Sequence, residues 1–135
     1  MGLLEQLKKN NYAIIASNGY YSFDTGIKPV INKINERIDY FNNLSVADKI
    51  VGKASAMLLC LSGAKEVDCI VLSKTGKDIL EKYGVIYKYE QLVDYIINRT
   101  HDDMCPMEKT VKDIDDLNKA YEALNNKLKS LTIEK

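Results

Sequence analysis

Between Val46 and Gly84 the chain alternates twice between a short apolar run and an amphipathic stretch, and this rhythm constrains the fold more than any other feature. Val46 to Val51 leads directly into Gly52 and a helical pattern in which Ala54, Met57, Leu58 and Leu61 face inward, stopping near Gly63. Val67-Asp68-Cys69-Ile70-Val71-Leu72 is a nearly continuous apolar run, which suits a central strand covered on both faces. Ser73 follows as a natural N-cap for a helix over Lys74 to Tyr83, with Gly84 as its stop, and Val85 to Tyr89 reads as a further short strand. Strand, tight turn and helix in repetition call for parallel strands joined by right-handed crossovers.

The N-terminal part has a different grammar. Gly2 to Asn10 reads as a short helix with Leu3, Leu4 and Leu7 on one face. Tyr12 to Ala16 and Tyr20 to Phe23 flank Ser17-Asn18-Gly19, and Asn-Gly between apolar runs signals an antiparallel hairpin because both residues tolerate positive φ. Pro29 then opens a helix in which Val30, Ile34, Ile38 and Phe41 recur at helical spacing. Past the last strand, Leu92, Val93, Ile96 and Ile97 also fall at helical spacing, followed by a polar loop over Thr100 to Met104 and a helix start at Cys105-Pro106-Met107-Glu108. A final helix, about 115–131, carries Ile114, Leu117, Tyr121, Leu124, Leu128 and Leu131 as a heptad seam that packs onto the domain or onto a second copy. The expected architecture is one α/β domain over 1–135, core about 10–113, with a mixed sheet that has an antiparallel hairpin on one side and helices covering it.

Nineteen basic against nineteen acidic side chains leave no net charge, which removes the usual electrostatic argument for nucleic acid or an acidic membrane as partner. Nine tyrosines suggest base stacking only until their surroundings are read, since no cluster of Lys or Arg accompanies them. The longest mostly apolar run, Ala54 to Ser62, is far below the ~20 residues of a membrane span, and the N-terminus lacks the apolar core of a signal peptide. Cys60, Cys69 and Cys105 are odd in number and irregular in spacing, which fits reduced thiols in the cytoplasm rather than a disulfide framework.

In parallel sheets, ligands gather beyond the carboxyl ends of the strands where helices begin. That places Asp48 to Lys53, Ser73 to Gly76 and Cys105 to Glu108 around one expected cleft. Val51-Gly52-Lys53-Ala54-Ser55 resembles the end of a phosphate-binding loop, but Ala47 and Ala54 stand where its first Gly and its Ser or Thr belong. What remains is a glycine that permits close approach and a lysine, Lys53, at a helix start, a position where a cation is unfavourable unless an anion is near. Cys105 at a helix start, with Glu108 at the third helical position, is the candidate pair for nucleophilic chemistry; the alternative is that Glu108 caps its own helix. His101, Asp102, Asp103, Cys105 and Glu108 do not match the spacing of a structural zinc site.

Asn18-Gly19, Gly26-Ile27-Lys28-Pro29, Asp48 to Ala56, Ser73, Asn98-Arg99 and Cys105-Pro106-Met107-Glu108 together resemble a small uncharacterised bacterial family of the cytidine-deaminase-like superfamily. The resemblance implies a three-layer α/β/α sandwich. Zinc deaminases carry His-x-Glu or Cys-x-Glu at one helix start and Pro-Cys-x-x-Cys at the next, and the starts at Gly52-Lys53 and Ser73-Lys74 offer neither. The expectation is therefore a deaminase-like cleft without zinc or another cofactor, in which Asp48, Gly52, Lys53, Ser73 and Arg99 bind a small anionic or nucleotide-like ligand. Cys105 and Glu108 supply hydrogen bonds there or, in the enzymatic alternative, the catalytic groups. A homo-oligomeric scaffold is the competing reading.

Overall fold

A computed structural model describes residues 2–96 and 105–133, the last three by backbone alone. The chain runs α1 (Leu3–Asn10), β1 (Ile14–Ala16), β2 (Tyr21–Ser22), α2 (Lys28–Glu36), β3 (Ser45–Val51), α3 (Lys53–Ser62), β4 (Glu66–Ser73), α4 (Lys74–Lys82), β5 (Ile86–Val93), α5 (Pro106–Val111) and α6 (Leu117–Ile133). The five strands form one mixed sheet in the order β2-β1-β3-β4-β5. β1 is antiparallel to both β2 and β3, and β3, β4 and β5 are parallel. The hairpin turns at Ser17 to Gly19, where Gly19 alone takes a positive φ of 96° and the Asn18 side chain accepts the Tyr20 N–H.

Helices pack on both faces. α1 covers one side through Leu3, Leu4 and Leu7 against Ile15, Ala47 and Ile70. The larger core lies on the other side, where Val46, Val51, Val67, Cys69 and Leu72 meet Val30, Ile31 and Ile34 of α2 and Met57, Leu58 and Leu59 of α3. α3 is buried almost all round, because the sheet lies under it and α6 over it. A helix with so little polar surface has no other stable place. The described positions of the heptad seam are turned toward this core: Leu124 is fully buried beside Ala120, and Ile114, Leu117, Tyr121 and Leu128 pack against it, while the Leu131 side chain lies outside the described residues.

Two sequence expectations change. The helix starting at Pro29 ends at Glu36, since Arg37 is extended (φ −158°); Ile38 is half exposed, and Phe41 reaches the core from the following turn, its N–H donated to Ser62 Oγ. Leu92 and Val93 belong to β5 rather than to a helix. Their helical spacing comes from a strand whose outward half, Lys88 to Gln91, is polar because it lies at a sheet edge. Among the described residues no helix is long and apolar enough to cross a membrane.

Candidate functional site

β3 and β4 end side by side, and each passes directly into a helix, so the starts of α3 and α4 lie together. Their contact is close: a Cβ on Gly76 would stand 3.0 Å from the Gly52 carbonyl carbon. Ser73 caps α4, its Oγ accepting the Gly76 N–H at 3.0 Å and lying 3.2 Å from Thr75 Oγ1. α3 has no cap of its own, because the residue at its N-cap is Gly52.

The missing cap comes from 55 residues away. Glu108 of α5 points its carboxylate at the α3 start, where Oε1 accepts the Lys53 N–H (2.6 Å) and Oε2 the Ala54 N–H (2.8 Å). Two of the four orphan donors of a helix N-terminus are thus satisfied by one anion, which also suits the positive end of the helix dipole. Gly52 is required by this approach, since a Cβ there would sit 1.9 Å from Glu108 Oε1. The exchange is reciprocal. Lys53 turns its side chain back to α5, donating from Nζ to the Lys112 carbonyl at 3.0 Å, with Asp115 Oδ1 at 3.8 Å. A cation on the last carbonyls of α5 and an anion on the first amides of α3 cross-link the two helices by complementary charge.

Burial holds the Glu108 carboxyl above its ordinary range, with the Ala54 and Lys53 amides and the Lys53 charge working in the opposite direction. Asp48 lies deeper. It sits in register with Ile14 and Cys69 on the core face of β3, and burial pushes its carboxyl up to about 8 although it accepts the Ile50 N–H. That local bond accompanies a break in strand alternation: Val51, not Ile50, returns to the core, which delivers Gly52 to the α3 start.

Next to Glu108 opens a cleft of about 130 Å³ lined by Lys53, Thr75, Asp94, Tyr95, Glu108 and Lys112. Asp94 is neutralised by Lys74 at 2.8 Å, which also holds its carboxyl below the usual range. Among the described residues the Lys112 ammonium has no ion pair.

Of the residues singled out from sequence, Gly52, Lys53, Ser73 and Glu108 converge here. Asp48 stands below the site in the core, and Arg99 and His101 lie outside the described residues. Cys105 is half buried at the start of α5, where its N–H is donated to the Ile96 carbonyl and its thiol makes no cap bond. Glu108 reaches another helix instead of capping its own. Asp94, Tyr95 and Lys112 belong to no motif, and topology alone brings them to the cleft.

The domain of unknown function DUF1893 matches residues 2–128. The chain belongs to the DUF1893 family. The crystal structure of a family member from Thermotoga maritima, TM1506, is 28% identical, covers 92% of this chain and 86% of its own, and superposes with a TM-score of 0.84. No curated protein matches the chain.

Proposed function

We propose that this protein is a small-ligand-binding domain of deaminase-like architecture that works without zinc, and that its ligand is an anion seated in the cleft beside Glu108. The observation that carries this reading is the Glu108 carboxylate itself. The α3 start already holds an anion on two backbone amides, at the place where parallel α/β sheets bind ligands. Lys112, Thr75 and Tyr95 also line the neighbouring cleft, and Lys112 is the cation there without an ion pair among the described residues.

Size narrows the ligand. A cavity of about 150 Å³ holds a benzene ring, so about 130 Å³ takes a phosphate, a carboxylate or a single small ring, not a whole nucleotide. Any larger nucleotide-like ligand enters by one such part. The strand order β2-β1-β3-β4-β5, with its antiparallel N-terminal hairpin and helices on both faces, supports the deaminase-like reading. The residues at the α2, α3 and α4 starts are Lys28, Pro29, Gly52, Lys53, Ser73 and Lys74, none of them a thiol, imidazole or carboxylate ligand for zinc. Glu108 does bring a carboxylate to the α3 start, but both of its oxygens are engaged by backbone.

Calorimetric titration with inorganic phosphate, acetate and a nucleoside monophosphate tests the proposal. At least one of them should bind with a Kd near or below about 1 mM, weakened about threefold in Lys112→Met, because Lys112 is exposed and an exposed ammonium–anion contact is worth roughly 0.6 kcal/mol. Equal heats for the two proteins would refute the placement.

A further inference from the structure

The two edges of the sheet are unlike. β2 is two residues long, which blunts its edge by shortness, whereas β5 runs for eight residues without proline or glycine. Among the described residues no strand pairs with its outer side, and its surface there is open: Ile86 is 62% and Tyr89 40% exposed. The direction of the main chain can be read from two contacts. Ile86 donates its N–H to the Lys65 carbonyl, and the Lys88 carbonyl accepts from Cys69 Sγ, so residues 86 and 88 turn their main chain toward β4. Alternation then turns the N–H and C=O of Tyr87 and Tyr89 outward.

We propose that this edge pairs with the same edge of a second copy, antiparallel and two-fold symmetric about Tyr89, continuing the sheet across both copies. The charge pattern selects this register. With Tyr89 opposite Tyr89 of the second copy, Lys88 of each chain stands opposite Glu90 of the other, giving two ion pairs related by the two-fold. Parallel in-register pairing would place Lys88 against Lys88 and Glu90 against Glu90, which is unfavourable. Because residues 87 and 89 carry the outward main-chain groups, Tyr89 forms the hydrogen-bonded pair and Lys88 with Glu90 the non-hydrogen-bonded pairs, where side chains come closest. Glu90 is already paired with Lys8 of its own chain, but 47% of its side chain remains exposed, enough for a second ammonium. Tyr87 and Tyr89 stack on each other on the opposite face, ring centroids 6.3 Å apart, away from Lys88 and Glu90. This surface is separate from the α6 seam, whose described side chains pack into the protein's own core.

Sedimentation analysis of the full chain should show a concentration-dependent species of twice 15.3 kDa. Lys88→Glu should weaken it at least about tenfold by placing like charges across both pairs, and combining it with Glu90→Lys should restore it. Independently of those variants, Tyr89→Cys combined with Cys69→Ser, which removes the thiol beside position 89 in the same chain, should form a disulfide-linked dimer under mild oxidation that Cys69→Ser alone does not, since hydrogen-bonded antiparallel pairs place Cα atoms about 5.5 Å apart, within disulfide reach. A wild-type protein that stays monomeric up to about 0.5 mM, where even a sub-millimolar Kd would show, overturns the proposal. So does a dimer indifferent to Lys88→Glu, or a dimer in which Tyr89→Cys with Cys69→Ser fails to cross-link.

Discussion

Replacing Glu108 by alanine removes the only side-chain acceptor described for the first amides of α3. Two hydrogen bonds to a charged group are lost, at roughly 1.5–3 kcal/mol each. The same change also relieves the burial that holds the Glu108 carboxyl above its ordinary range, and this offsets part of the loss. The expected net cost is therefore near the lower end, about 3 kcal/mol. For a chain of this length that corresponds to a fall of about 10 °C in Tm, measurable by thermal or urea denaturation. Glu108→Gln keeps the volume and one carbonyl acceptor but sets an amide NH2 against the other donor, so it should fall between the two. A local readout separates this account from general loosening: if α3 opens with the lost cap, exchange at the Lys53 and Ala54 amides should rise about 100-fold, the kinetic equivalent of 3 kcal/mol. A Glu108→Ala protein that melts within about 2 °C of wild type, with both amides still protected, would refute the reciprocal cap.

Gly52→Ala should destabilise by a similar amount by evicting the same carboxylate, and its cost should shrink by more than about 1 kcal/mol in the Glu108→Ala background; additive costs would show that Gly52 and Glu108 act separately. Asp48 keeps its proton in the folded chain up to about pH 8 but loses it near its ordinary 3.8 when unfolded. Its contribution is therefore full below about pH 4 and is lost as pH rises toward 8, on the order of 4 kcal/mol by pH 7. The stability advantage of Asp48→Asn over wild type in urea should accordingly widen between pH 5 and pH 8, and a constant difference would contradict the buried carboxyl. Leu124→Ala should cost about 2–5 kcal/mol because Leu124 is fully enclosed; a loss under 1 kcal/mol would mean that α6 is not docked. Burial pushes the Cys60 and Cys69 thiols up to about 12, so neither should react with a mild thiol reagent at pH 7 in the native protein, as peptide mapping after labelling would reveal.

The βα repeats were legible because each one carries its own punctuation: Gly52 and Gly63 around α3, Ser73 and Gly84 around α4. The hairpin was legible for the same reason, although Asn18 serves through its side chain rather than by positive φ. β5 is only half legible because an edge strand with Lys88, Glu90 and Gln91 loses the apolar alternation that identifies a strand, and Leu92 and Val93 then fall into helical spacing with Ile96. The site was legible in its members more than in its bonds. Gly52 and Lys53 pointed to an anion at the α3 start, and local capping rules assigned Glu108 to its own helix. The distant pairing follows from tertiary packing that sets α5 across the α3 start, and no sequence interval encodes it.

The central claim, that an external anion occupies the cleft beside Glu108, is tested most directly by amide chemical-shift mapping during a phosphate titration. Anion binding there should give saturable shifts clustered at Lys53, Ala54, Thr75, Tyr95 and Lys112, with the outer edge of β5 unmoved. Shifts scattered over surface lysines, or none at all up to about 10 mM phosphate, well beyond a millimolar Kd, would contradict it.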